Sequence, residues 1–157
     1  MQIYKPYRIV VFGHRDFNHH RILDENLSVL LKEIIRKKPF VEIYVGRNGE
    51  FDLYAATIVK QLQNEIGKNN HELICVLPYS TKDMEYYAKY YDHVIIPETI
   101  GKTHPKGAIL KRNRWMVEQA DLLICYVERK QGGAYSALKY AEKLGKKILN
   151  LAEQTIR

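Results

Sequence analysis

The chain has 157 residues, 46% of hydrophobic type and 27% charged. That balance suits one globular domain and excludes a disordered, collagen-like or low-complexity chain. No apolar run approaches the roughly 18–20 residues that a membrane span requires. The segment Met1 to Tyr7 is polar and mixed, unlike a secretory signal, so the expected location is the cytoplasm, with no membrane partner. The formal net charge of +7 accommodates nucleic acid or a phosphate-bearing small molecule equally. Cys75 and Cys125 stand inside apolar runs without C-x-x-C spacing, the pattern of buried, reduced thiols.

Along the chain, Arg8 to Phe12 is a short β-branched run that predicts a strand, closed by Gly13-His14-Arg15. From about Asn18 to Lys38, Leu23, Leu27, Leu30, Leu31 and Ile34 fall at helical spacing, and Pro39 ends that helix. Val41 to Val45 predicts a second strand, followed at once by Gly46-Arg47-Asn48-Gly49. Ala55, Val59, Leu62 and Ile66 predict a second helix, with Gly67 placed to stop it. Leu73 to Leu77 is a third strand. A Tyr-rich helix or loop, Thr81 to Tyr91, comes next, and its tyrosines read as packing or a subunit contact. Val94 to Ile96 is a short fourth strand, and Glu98–Gly107 reads as a surface loop. A helix is expected over Lys106 to Gln119, a fifth strand over Leu122 to Val127, a helix over Ala134 to Leu144 stopped by Gly145, and a sixth strand over Ile148 to Leu151.

Strands that are near-continuous apolar runs, alternating with helices, predict a parallel sheet covered on both faces. The expected fold is a Rossmann-like three-layer α/β/α domain over residues 1–157, with a mainly parallel sheet of about six strands. No repeat or linker divides it.

In such a sheet, ligands bind outside the carboxyl ends of the strands, near the point where strand order reverses. Three turns then share one sheet edge: Gly13-His14-Arg15, Gly46 to Asp52, and Gly132-Gly133-Ala134. Glycines before a helix let an oxyanion approach backbone N–H groups. Asn48 and Gly49 favour a tight turn. Glu50 and Asp52 are either helix-capping acids or carboxylates facing a sugar, where they serve as ribose acceptors or as base or nucleophile at a glycosidic carbon. His14 is either satisfied in the core or a ligand contact, and Arg15 suits a phosphate or Glu50. Asn113 falls on the apolar stripe of its helix with Ile109 and Met116, with Arg112 beside it, and needs polar partners there. Neither G-x-x-x-x-G-K-[ST] nor G-x-G-x-x-G occurs. No His/Cys cluster suggests a metal, and no cofactor is implied. The basic stretches Lys32–Lys38 and Lys102–Arg114 read as solvated faces.

Four segments carry a resemblance: Phe12-Gly-His-Arg15, Val45-Gly-Arg-Asn-Gly-Glu-Phe-Asp52, Arg112-Asn-Arg-Trp-Met-Val117 with Ala120 to Ile124, and Gly132-Gly-Ala134. The sequence resembles the SLOG superfamily, the Rossmann-like group that includes the DNA-uptake protein DprA/Smf and the cytokinin-activating LOG proteins. Within it, the chain is similar to the small YpsA-like bacterial proteins. The resemblance implies a Rossmannoid sheet and a nucleotide or nucleotide-derived ligand. LOG-type members cleave an N-glycosidic bond and use a Gly-Gly-x-Gly-Thr phosphate loop. The turn here, Gly132-Gly133-Ala134-Tyr135-Ser136, lacks the third Gly and the Thr, and Ser136 stands as a hydroxyl in their place.

The expected function is therefore nucleotide-type ligand binding in a sensor or regulatory role, in a homo-oligomer. The expected ligand residues are Gly13, His14, Arg15, Gly46, Asn48, Gly49, Arg112, Asn113, Gly132, Gly133, Ala134 and Ser136. The alternative is an N-glycosidic hydrolase or phosphoribohydrolase using Glu50 or Asp52. Nucleic-acid binding through Lys102–Arg114 is the more distant alternative.

Overall fold

Strands and helices alternate from end to end in the computed structural model, which describes residues 5–18 and 21–155. In chain order they are β1 (Tyr7–Gly13), α1 (Arg21–Lys37), β2 (Val41–Val45), α2 (Glu50–Ile66), β3 (His71–Val76), α3 (Met84–Tyr90), β4 (His93–Ile95), α4 (Pro105–Gln119), β5 (Leu122–Tyr126), α5 (Gly133–Lys143), β6 (Ile148–Asn150) and α6 (Leu151–Thr155). The strands form one sheet in the order β4-β3-β2-β1-β5-β6. Every pairing is parallel, with Ile9 beside Ile43 on one side of β1 and beside Leu122 on the other. The expected Rossmann-like three-layer architecture is present.

Period-two alternation along the strands divides the core in two. Ile9, Val11, Ile43, Val45, Leu73 and Cys75 face Leu23, Leu27 and Leu31 of α1 and Phe51, Ala55, Val59 and Leu62 of α2, with α6 added through Leu151 and Ala152. Val10, Tyr44, Ile74, Val76 and Leu123 face the opposite way, against Met116 and Val117 of α4 and Ala137 and Ala141 of α5. Both cysteines are buried and unpaired, as their apolar runs predict. Burial pushes the Cys75 thiol up to about 11 and the Cys125 thiol up to about 12, so neither is poised as a nucleophile.

Several boundaries differ from the sequence reading. Asn18, near which the first helix is expected, stands outside α1 (Arg21–Lys37), and residues 19–20 lie outside the described residues. The segment expected as a surface loop, Glu98–Gly107, holds a single 3-10 turn at Glu98–Ile100 with Ile100 buried, and α4 begins within it. Pro105 occupies the first turn of α4, where its missing N–H costs nothing, and the His104 side chain accepts from the Lys106 N–H. The last strand ends at Asn150, not Leu151, because Asn150 closes it and opens α6: its Oδ1 accepts from the N–H groups of Val127 and Ala152. Asn150 followed by Glu153 is a helix-start signal present in the sequence.

Candidate functional site

Strand order reverses at β1. From there the chain moves outward through β2, β3 and β4, then returns to place β5 on the other flank of β1. The carboxyl ends of β1 and β5 are therefore the switch point. A cleft of about 620 Å³ opens there. Its walls bring together Gly13, His14 and Arg15 after β1, Asn48, Gly49 and Asp52 after β2, and Gly132, Gly133 and Ala134 after β5, with Arg112 and Asn113 from α4. Val10, Phe12, Ile109, Met116, Val117 and Ala137 supply an apolar wall.

Close backbone approach brings the first two turns together. A Cβ on Gly49 would stand 2.5 Å from the Arg15 Cα, and one on Gly13 would stand 2.4 Å from the Phe51 ring, so side chains are excluded at both places. The Glu50 N–H donates to the Arg15 carbonyl at 2.8 Å, and the Glu50 carboxylate accepts from the Phe17 N–H at 3.1 Å. Glu50 thus ties α2 to the β1–α1 turn, and it stands outside the cleft lining.

Arg112, at 2% exposure, is the largest of the fully buried side chains. Its guanidinium donates to the Val76 carbonyl at 2.8 Å, to Asn48 Oδ1 at 2.9 Å and to Asn113 Oδ1 at 2.9 Å. The basic stretch Lys102–Arg114 is therefore not a uniform solvated face: α4 turns Arg112 inward while Lys106, Lys111 and Arg114 remain exposed. Asp52 is 9% exposed and accepts from the Asn48 N–H at 3.1 Å. Burial pushes its carboxyl up, while the Arg112 charge and the Asn48 N–H pull it back. Burial likewise lowers Arg112, against the pull of Asp52. Gly46 lies beneath this pair. A Cβ there would stand 3.0 Å from Asp52 Oδ2 and 3.1 Å from Arg112 Nη1, so the glycine leaves room for the two charged groups rather than for a ligand.

His14 is 4% exposed. Its Nε2 accepts from the N–H groups of Glu128 at 2.9 Å and Arg129 at 3.1 Å. A ring nitrogen that accepts carries no proton, so the imidazole is neutral with its proton on Nδ1. Burial, with Arg129 adding to it, lowers His14 from the ordinary imidazole value. His14 thus lines the cleft and is hydrogen-bonded as a brace for the β5–α5 turn.

The third turn is open. Gly132 has φ 92°, the left-handed region that favours glycine, and Gly133 begins α5. The nearest atom to a Cβ built on Gly133 is Asn113 Nδ2, at 3.8 Å. Because Asn113 Oδ1 is taken by Arg112, its amide N–H₂ is the end left toward this helix start. Ser136 lies one turn on, outside the cleft, in a smaller groove between α4 and α5 with Lys106, Arg114 and Tyr140. Sequence reasoning missed three polar lining residues, Asp16, Arg129 and Gln131. Their signal was position, within a few residues of the ends of β1 and β5.

Arg47, inside the second turn, points away from the cleft. It donates to the Tyr91 hydroxyl at 2.8 Å and lies 4.6 Å from the Tyr87 ring centre, with Tyr86 and Tyr91 also close. Tyr86, Tyr87 and Tyr91 thus pack around one arginine, while Tyr90 lies against Lys60. Among the described residues, no group of His, Cys, Asp or Glu is arranged to hold a metal ion, and no helix is long and apolar enough to cross a membrane.

A parallel sheet in this order, with a cleft at its switch point, is a Rossmann-like domain. Two solved structures share the fold. DNA processing protein A (DprA) from Streptococcus pneumoniae superposes with a TM-score of 0.66 at 14% identity, covering 91% of this chain and 49% of that one. DprA from Helicobacter pylori, whose structure describes a single-stranded DNA binding mode, superposes with a TM-score of 0.62 at 19% identity, covering 91% of this chain and 64% of that one. The chain thus spans about half the length of the first and under two thirds of the second. At these identities the likeness shows a shared fold. No family model and no curated protein matches the sequence.

Proposed function

We propose that the cleft binds a nucleotide or nucleotide-derived ligand, its phosphate at the start of α5 and its sugar toward Asp52, and that the protein is a cytoplasmic sensor or regulator of the YpsA-like kind. One observation carries this reading: three turns from separate strands, together with α4, converge on a single cleft at the switch point. Anions are favoured by the free N–H groups of a helix start, and Gly133 leaves that start uncovered. The apolar wall from Val10 to Ala137 suits a base. In the N-glycosidic hydrolase alternative, Asp52 is the carboxylate in place, since Glu50 is held by Phe17 outside the lining.

A second reading is favoured by the likeness to the Helicobacter pylori protein: the nucleotide unit in the cleft belongs to single-stranded DNA. The cleft fits one such unit, and the exposed Lys106 and Arg114 of α4 line a neighbouring groove for the flanking phosphates.

Calorimetric titration with AMP, ADP, ATP, ADP-ribose and a fluorescent single-stranded oligonucleotide separates the two. A free nucleotide ligand gives saturable binding to the small molecules that Gly133→Trp abolishes with the fold intact. Single-stranded DNA gives tight oligonucleotide binding that falls steeply with salt, with mononucleotides binding weakly. If neither class binds the wild-type chain, the cleft has another use. Light scattering in the same buffers tests the homo-oligomer that this reading includes.

A further inference from the structure

Two charged side chains meet across the mouth of the cleft. Arg129, in the β5–α5 turn, donates from Nη2 to Asp16 Oδ1 at 2.6 Å and from Nη1 to Asp16 Oδ2 at 3.1 Å, a fork-on-fork pair. Nη2 also lies 3.3 Å from the Asp16 carbonyl. Both residues line the cleft. Their side chains are 38% and 80% exposed, so water competes for the pair and it contributes little to stability. The Arg129 main chain, in contrast, is fixed, because His14 Nε2 accepts from the N–H groups of residues 128 and 129. A braced backbone therefore carries a guanidinium whose present partner is weakly held.

We propose that Arg129 is the phosphate-binding residue of the cleft and that Asp16 is a resident carboxylate that the ligand's phosphate displaces. The guanidinium fork that grips a carboxylate through two parallel N–H bonds grips a phosphate in the same geometry. A phosphate at the start of α5 also accepts from the helix N–H groups, bonds that the Asp16–Arg129 pair does not include. Arg112 cannot take this part, since its guanidinium is 2% exposed and already donates to three protein groups. Asp16 then sets a threshold. It screens Arg129 from weak anions, and a ligand gains the arginine only by outcompeting it.

This inference rests on the anion reading of the cleft but not on the nucleotide being its source, so inorganic pyrophosphate is the first probe. Titrations compare wild type, Asp16→Asn, Arg129→Gln and Arg129→Lys, with pyrophosphate, ADP and phosphate-free adenosine. Asp16→Asn should bind pyrophosphate and ADP about two- to fivefold more tightly than wild type, with adenosine unchanged. Arg129→Gln should weaken both phosphate ligands by about tenfold, and Arg129→Lys should recover part of that loss as a point charge without the fork. The double variant should match Arg129→Gln, because the carboxylate acts only through the arginine. Circular dichroism melting reports whether each variant folds.

Weaker pyrophosphate binding in Asp16→Asn, or no change, overturns the displaced-carboxylate role. Unchanged pyrophosphate binding in Arg129→Gln overturns the arginine's role. Should pyrophosphate follow the predicted order while neither ADP nor adenosine binds wild type, the nucleotide reading fails and the anion clamp stands.

Discussion

At the floor of the cleft and at its mouth, an arginine stands near a carboxylate, and the two neighbourhoods behave differently. On the floor, Arg112 is buried and joins three elements, through Val76 of β3, Asn48 of the β2–α2 turn and Asn113 of its own helix. Its neighbour Asp52 is buried with it. At the mouth, Arg129 and Asp16 make the more direct contact, yet both are open to solvent. Burial reverses the apparent ranking. A short ion pair in water exchanges readily, whereas two charges removed from water depend on every hydrogen bond around them. The floor is built for shape and the mouth for exchange.

The largest expected effect lies on the floor. Arg112→Met should leave Asp52 buried without its counter-charge and lower unfolding stability by about 3–5 kcal/mol, read from urea denaturation. Adding Asp52→Asn should recover part of that loss, since the stranded charge is then gone. A loss below about 1 kcal/mol for the single variant would mean that water reaches this pair and that floor and mouth do not differ.

Next is the seam where two turns touch. Gly49→Ala should destabilise by about 1–3 kcal/mol, because its Cβ meets the Arg15 backbone rather than a flexible side chain. Gly133→Ala, with ordinary van der Waals room, should leave thermal stability equal or slightly raised. Equal effects of the two substitutions in a melting experiment would contradict the packing described for the cleft.

A smaller effect sharpens the mouth. The folded state holds His14 below its ordinary value, so in the window below about pH 6.5 the unfolded chain takes up a proton that the folded chain refuses. Stability should therefore be complete near neutral pH and fall with acidification, by at most ~1.4 kcal/mol per pH unit for this group. The buried His71 of β3 adds a term of the same sign. Both of its ring nitrogens lack a hydrogen-bond partner, and burial lowers it as well. His71→Leu should flatten the pH profile without altering ligand affinity. His14→Gln should flatten it and also weaken pyrophosphate binding, because the turn that carries Arg129 loses its brace. Urea midpoints at pH 7.5 and 5.5 measure the stability part.

The alternation of strands and helices was legible in the chain because apolar runs and their glycine and proline boundaries are local signals. Val41–Val45 needed no tertiary information, and neither did the Gly67 stop after Ile66. Helix α6 was missed because five residues are too few for a periodic pattern, although the Asn150 cap marks its start. The convergence of the turns after β1, β2 and β5 was foreseeable as well, since parallel strands place all their carboxyl ends on one edge.

What each polar residue does at that edge was not legible. Glu50 and Asp52 differ by two positions and share a chemistry, yet the helix turns Asp52 into the cleft and leaves Glu50 bonded to Phe17. Arg112 and Arg129 are equivalent letters in a basic chain, but one is buried and the other is exposed on a braced turn. Local order follows from neighbours along the chain, so the sequence by itself determined most of the elements, their parallel pairing and the sheet edge where the cleft opens. Burial and partnership depend on groups distant in sequence, such as His14 with Glu128 or Arg112 with Val76, and only the tertiary structure decided which charges are buried among protein partners and which stay open to solvent.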